Sequence, residues 1–137
     1  MKRTVQKIIT FFVVVLGICC INKIDAKAFT TGDITYINGQ RYLYSNGQKV
    51  INDFVFDGVY TYYAQADGTP MTNRLTYHPD GVHIIYFDKN GHEVFNAFQY
   101  CSSVGYNCYF DSQGYLYKDQ ITYIDGNPYY LNANGAL

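Results

Sequence analysis

Five glycines close similar phrases in this chain: YLYSNG at Gly47, YYAQADG at Gly68, YFDKNG at Gly91, YFDSQG at Gly114 and YLNANG at Gly135. They follow one another at steps of 21, 23, 23 and 21 residues, and a tyrosine stands five residues before each: Tyr42, Tyr63, Tyr86, Tyr109 and Tyr130. A period of this size marks a repeat architecture, in which a unit too small to bury its own apolar face buries it on a neighbour. That one feature excludes most ordinary enzyme folds before composition is considered.

A second register follows each glycine. Phe54 and Phe56, Leu75 and Tyr77, Phe98 and Tyr100, and Ile121 and Tyr123 lie seven and nine residues on, and Ile34-Thr35-Tyr36 opens the array in the same way. Apolar, variable, aromatic is strand alternation. Only the step from the second aromatic to the next register tyrosine varies in length. It holds Asn38-Gly39, Asp57-Gly58, Pro79-Asp80-Gly81, Val104-Gly105 and Asp125-Gly126, pairs suited to tight turns because glycine accepts positive φ without a steric cost. The pattern predicts an all-β solenoid of about five stacked β-hairpins. The units fall near 34–53, 54–74, 75–97, 98–120 and 121–137, after a lead-in over 29–33.

Two cysteines in this array, Cys101 and Cys108, flank Val104-Gly105. Facing each other across a hairpin they would form a disulfide worth roughly 2–3 kcal/mol on the entropic account; in a reducing habitat they would stay free thiols. That pairing places Tyr100 opposite Tyr109, and by analogy Tyr36 opposite Tyr42, Phe56 opposite Tyr63, Tyr77 opposite Tyr86 and Tyr123 opposite Tyr130. One aromatic rung per hairpin is the expectation.

Residues 1–28 read as a signal peptide. Lys2, Arg3 and Lys7 precede an apolar run from Ile8 to Ile21, shorter than a membrane span, and Ala26-Lys27-Ala28 supplies the small residues of a cleavage site after Ala28 or Ala26. The remaining chain carries five Lys and Arg against ten Asp and Glu, a balance of −5. A secreted or cell-surface, acidic protein with no basic cluster lacks the footprint of nucleic-acid binding, and once cleaved it has no membrane segment. Neutral glycans, cations or protein partners fit better.

The phrases YYLNANGAL (Tyr129 to Leu137), YFDKNG (Tyr86 to Gly91) and YINGQRYLYSNG (Tyr36 to Gly47) resemble the cell-wall-binding repeats of Gram-positive surface proteins. That family includes choline-binding modules, glucan-binding repeats of glucosyltransferases and repetitive oligopeptide domains of clostridial toxins. The resemblance covers nearly all of the chain after the leader. It implies stacked hairpins with ligand sites in grooves between them, and attachment to a cell-wall polymer or glycan without catalysis or cofactor. Choline-holding members look like G-W followed by W-Y-Y-L, whereas this chain has no Trp. Ile34, Phe54, Leu75, Phe98 and Ile121 stand at the first Trp position, and Ile84, Asn107 and Pro128 at the second in the last three units. Trp offers the best face to a quaternary ammonium, so choline is the less favoured ligand and tyrosine-lined grooves for sugar rings the better one.

The candidate ligand-binding residues are therefore Tyr36, Tyr42, Phe56, Tyr63, Tyr77, Tyr86, Tyr100, Tyr109, Tyr123 and Tyr130. The competing role for a tyrosine repeated in every unit is core packing, which would leave the less regular Tyr44, Tyr60, Tyr62, Tyr106, Tyr115, Tyr117 and Tyr129 exposed to line the grooves. His78, His83 and His92 fall beside acids but in turn-rich segments, so they are expected in solvated loops rather than around a metal. Asp57, Asp67, Asp80, Asp88, Asp111 and Asp125 occupy turn positions, ordinary for Asp, and no catalytic constellation is expected. Two functions remain: a non-catalytic wall- or glycan-binding module, or a protein-binding scaffold or adhesin on the same solenoid. Dimerisation through the last hairpin is the expected self-association.

Overall fold

The computed structural model describes residues 29–137; the expected signal peptide lies outside them. All regular structure within them is β: β1 (Thr30–Thr31), β2 (Asp33–Ile37), β3 (Gln40–Ser45), β4 (Gln48–Lys49), β5 (Asp53–Phe56), β6 (Thr61–Ala64), β7 (Arg74–Tyr77), β8 (Ile84–Phe87), β9 (Ala97–Cys101), β10 (Tyr106–Phe110), β11 (Gln120–Ile124) and β12 (Asn127–Leu131). Five antiparallel hairpins result, β2–β3, β5–β6, β7–β8, β9–β10 and β11–β12. The lead-in is not a free tail, because β1 runs parallel to β5, pairing Thr30 with Val55 and Thr31 with Phe56.

The rung expectation is overturned. Tyr100 faces Asn107 and Tyr109 faces Phe98, so the register tyrosine pairs with the first apolar residue of the tripeptide, not with its aromatic third. The same offset gives Phe54↔Tyr63, Leu75↔Tyr86 and Ile121↔Tyr130. Turn closure sets it. In the fourth hairpin, Val104 and Gly105 both donate to the Cys101 carbonyl, so Cys101 pairs with Tyr106 and Cys108 with Gln99. The two cysteines sit diagonally, buried and free, and the expected disulfide is not formed. The first hairpin departs further. Its two-residue Asn38-Gly39 turn, with both φ positive at 51° and 77°, pairs Ile34 with Leu43 and Tyr36 with Arg41; Tyr42 then lies opposite Thr35, on the other face from Tyr36.

Burial falls on the neighbour of the register tyrosine. Leu43, Ala64, Phe87, Phe110 and Leu131, each one residue after that tyrosine, are fully buried. Three clusters hold the array together: Leu43, Val55, Tyr62 and Ala64 between the first and second hairpins; Phe54, Met71, Ile85 and Phe87 between the second and third; and Tyr86, Val94, Cys101, Cys108 and Phe110 between the third and fourth. An isolated hairpin is marginal in water, so these interfaces carry the stability.

The glycine turns link the units by backbone bonds. In the last three turns the residue two after the glycine reaches back to the preceding hairpin: the Glu93 N–H donates to Thr61 O at 2.8 Å, Leu116 to Ile84 O at 2.8 Å and Leu137 to Asn107 O at 3.0 Å. Each new unit opens on a left-handed residue, Asn52, Asn73, Asn96 or Asp119, at φ between 46° and 50°. Their N–H groups donate to the carbonyls of Gln65, Asp88, Asp111 and Asn132. Asn and Asp tolerate this conformation better than other side chains.

Candidate functional site: an aromatic groove and a histidine seam

The strand alternation that buries one face of each hairpin exposes the other. Tyr36, Tyr77, Tyr100, Tyr123 and Tyr130 are exposed, Tyr42, Phe56, Tyr63 and Tyr109 are half-buried, and Tyr86 is closed inside the core against Phe110. Of the less regular aromatics only Tyr60 is exposed; Tyr62 is buried and Tyr44, Tyr106, Tyr115, Tyr117 and Tyr129 are half-buried. The packing role thus falls largely on the irregular set, contrary to expectation.

A groove of about 220 Å³ between the second and third hairpins is lined by Tyr63, Met71, Thr76, Tyr77, Pro79, Ile85 and Phe87. It brings together two of the ten candidates, Tyr63 and Tyr77. Phe54 packs edge-on against Tyr63 at 5.1 Å and fixes that ring from behind. The lining offers apolar faces together with the phenols of Tyr63 and Tyr77 and the hydroxyl of Thr76. Such a surface can hold a ring by its face and hydroxyls by hydrogen bonds.

The histidines are not merely solvated. His92 stacks on Tyr60 with centroids 3.6 Å apart and planes 3° apart, and His83 stacks on Tyr115 at 3.8 Å and 8°. In each pair one ring precedes the second strand of a hairpin and the other follows the glycine of the next unit. Asp80 Oδ2 lies 2.6 Å from His83 Nδ1 and 3.1 Å from His78 Nδ1, and His78 Nδ1 accepts the Asp80 backbone N–H. The hydrogen bond from His83, with backbone N–H donors from Val82 and His83, holds its carboxyl well below the usual range. Asp57 accepts from the N–H groups of Val59 and Tyr60. Although partial burial pushes its pKa up, these bonds bring it below the ordinary value. Burial, followed by donation from its hydroxyl to Asp57 Oδ2, pushes Tyr62 up to about 12. The hydrogen bond with Cys108, and burial, push the Cys101 thiol up.

A second cleft, about 310 Å³, lies beside the seam and is lined by Phe29, Phe54, His78, Glu93, Phe95, Ser112, Gln113 and Tyr115. No sequence feature pointed to it, because its residues come from five separate segments of the chain. Among the described residues no three His, Cys, Asp or Glu side chains are grouped to hold a metal ion, and no helix is long and apolar enough to cross a membrane.

Solved structures share this succession of hairpins. The modular autolysin LytC from Streptococcus pneumoniae superposes with a TM-score of 0.60 at 20% identity, over 75% of this chain and 23% of that one. Choline binding protein F from the same organism gives 0.59 at 22%, over 75% and 36%. The chain has the fold of the cell-wall-binding repeats. Truncated alternansucrase from Leuconostoc mesenteroides resembles this repeat array more closely in sequence, with a TM-score of 0.64 at 27% identity over 76% of this chain and 10% of that one. The array thus spans about a third or less of each of these proteins. No protein-family profile and no curated protein sequence matches it.

Proposed function

We propose that the chain is an exported, non-catalytic repeat module, a hairpin solenoid that binds a cell-wall or glycan polymer through aromatic grooves between hairpins. The observation that carries this reading is the groove of Tyr63, Met71, Thr76, Tyr77 and Phe87, where apolar faces from two successive hairpins share a lining with hydroxyl-bearing side chains. Structures of similar fold include alternansucrase in complex with isomaltononaose and LytC in complex with a synthetic peptidoglycan ligand; choline binding protein F shares the fold as well, and a saccharide is the preferred ligand because the chain has no Trp to face a quaternary ammonium. Several weak sites on one polymer would combine by avidity.

Retention on purified cell wall and on insoluble glucan tests this reading. We expect the protein in the pellet, and loss of retention when Tyr63 and Tyr77 are both replaced by alanine. A protein that stays soluble with every wall and polysaccharide fraction overturns it.

A protein-binding scaffold is the second reading, favoured by the exposure of Tyr36, Tyr77, Tyr100 and Tyr123 at one repeated strand position. Self-association through β11–β12 belongs with it, since Ile121, Tyr123 and Tyr130 are all more than half exposed there. A monomeric mass by light scattering at high concentration would remove the self-association.

A further inference from the structure

Asparagine stands directly before glycine four times, at Asn38-Gly39, Asn46-Gly47, Asn90-Gly91 and Asn134-Gly135. Such a pair can consume its own side-chain amide. The backbone nitrogen of the glycine attacks Cγ of the asparagine, and the missing Cβ on glycine leaves that approach open. An N–Cγ bond forms, the Cγ–Nδ2 bond breaks, and ammonia leaves with the proton that the glycine nitrogen gives up. Water then opens the five-membered imide at either carbonyl, giving aspartate or isoaspartate. In sum one water enters and one ammonia departs, with no redox change. The dipeptide is the same at all four places, but its surroundings are not.

The two later pairs are held. The Gly91 N–H donates to Asp88 O at 3.0 Å and the Gly135 N–H to Asn132 O at 2.8 Å. Both glycines are buried against the unit before: a Cβ on Gly91 would meet Pro70 and the Met71 carbonyl, and one on Gly135 would meet Leu116. The attacking nitrogen is thus engaged, and the turn must leave its neighbour before the asparagine can rotate onto it.

The first unit builds its two pairs differently. Asn38-Gly39 joins β2 to β3 and Asn46-Gly47 joins β3 to β4, each as a two-residue turn with asparagine at φ 51° or 50° and glycine at 77° or 76°. The flanking residues close these turns, Ile37 pairing with Gln40 and Ser45 with Gln48. Neither the Gly39 nor the Gly47 N–H has a hydrogen-bond partner among the described residues. All four residues of these pairs are exposed, and the space beside both glycines is open. Exposed turns with no packing lie at the low end of local stability, so only the turn itself has to open for attack.

We infer that Asn38 and Asn46 are sites of spontaneous deamidation in the folded protein, and that the stacking of units protects Asn90 and Asn134 from the same reaction. Each conversion adds a negative charge to an already acidic chain. Conversion at Asn46 reaches further, because β4 sets Lys49 with its ammonium 4.3 Å from the centre of the Tyr42 ring and its stem beside Gly68. Isoaspartate adds a carbon to the main chain of the turn, shifts the pairing that places Lys49, and loosens the joint between the first two units.

Ageing of the protein in mildly alkaline buffer, followed by peptide mass mapping, tests the inference, with the chain unfolded in guanidinium chloride as reference. Unfolded, the four sites should convert at similar rates, since glycine follows each. Folded, Asn38 and Asn46 should convert about tenfold faster or more than Asn90 and Asn134, the factor expected when a hydrogen bond and a packed contact must break before attack. A rate at either Asn38 or Asn46 no higher than at the later pair overturns the inference. Leu116→Ala, which removes the packing beside Gly135, should speed conversion at Asn134 and leave Asn38 and Asn46 unchanged; no acceleration rejects protection by stacking. Should that variant fail to fold, the comparison of folded and unfolded parent decides alone.

Discussion

His83 lies flat against Tyr115, 3.8 Å between ring centroids, and so joins the third hairpin to the turn of the fourth unit. Tyr60 and His92 repeat the arrangement one unit earlier at 3.6 Å. Replacing Tyr115 with alanine removes one such joint. It should cost about 1 kcal/mol beyond the apolar area lost, the usual range for an aromatic pair being about 0.5–1.5 kcal/mol. Urea unfolding of this variant beside Tyr115→Phe, which keeps the ring, measures it.

Asp80 makes stability depend on acid. Its folded pKa lies below the ordinary 3.8 because it accepts from His83 and from backbone N–H groups, so its contribution is present above that value and is lost as pH falls below it toward the folded pKa. Melting temperatures between pH 5 and pH 2 should fall less steeply in Asp80→Asn than in the parent. Equal slopes would show that the carboxylate's hydrogen bonds do not persist in solution.

Asn96 tests the backbone at a unit entrance. With φ at 48°, Asn96→Gly should leave stability nearly unchanged, while Asn96→Val should cost about 1–3 kcal/mol through left-handed strain in a β-branched residue. Thermal unfolding of the pair separates conformational strain from loss of the side chain, since both variants lack the amide.

Cys101 and Cys108 should resist alkylation in the folded protein, because both thiols are fully buried and that of Cys101 is pushed up by its partner and by burial. Both should label quantitatively in denaturant without reductant. A mass shift of a single disulfide in place of two labels would contradict the free pair.

The hairpin order was legible because its signals are local: a glycine that takes positive φ, an Asp or Asn three residues before it at Gly91, Gly114 and Gly135, and alternation on either side. Asp88 and Asp111, for example, each accept two backbone N–H groups in the turns where the phrases placed them. Cross-strand register was not legible, since one or two residues gained or lost in a loop shift every pair; Tyr109 meets Phe98 rather than Tyr100 for that reason. The left-handed entrance did leave a trace, Asn52, Asn73, Asn96 and Asp119 standing five residues after successive glycines. The His–Tyr stacks and the cleft beside them left none, because each joins residues from different units, such as Tyr60 with His92 and Phe29 with Tyr115, whose meeting depends on how one hairpin turns on the next.

The backward bond that the turns at Gly91, Gly114 and Gly135 make to the hairpin before has an evolutionary corollary. Copying or excising a stretch of one whole period leaves every such donor with an acceptor at its usual distance along the chain, whereas a cut of half a period strands them all. Gene segments of this protein can therefore be gained or lost in whole-period steps at little structural risk, and its length is free to drift by that quantum.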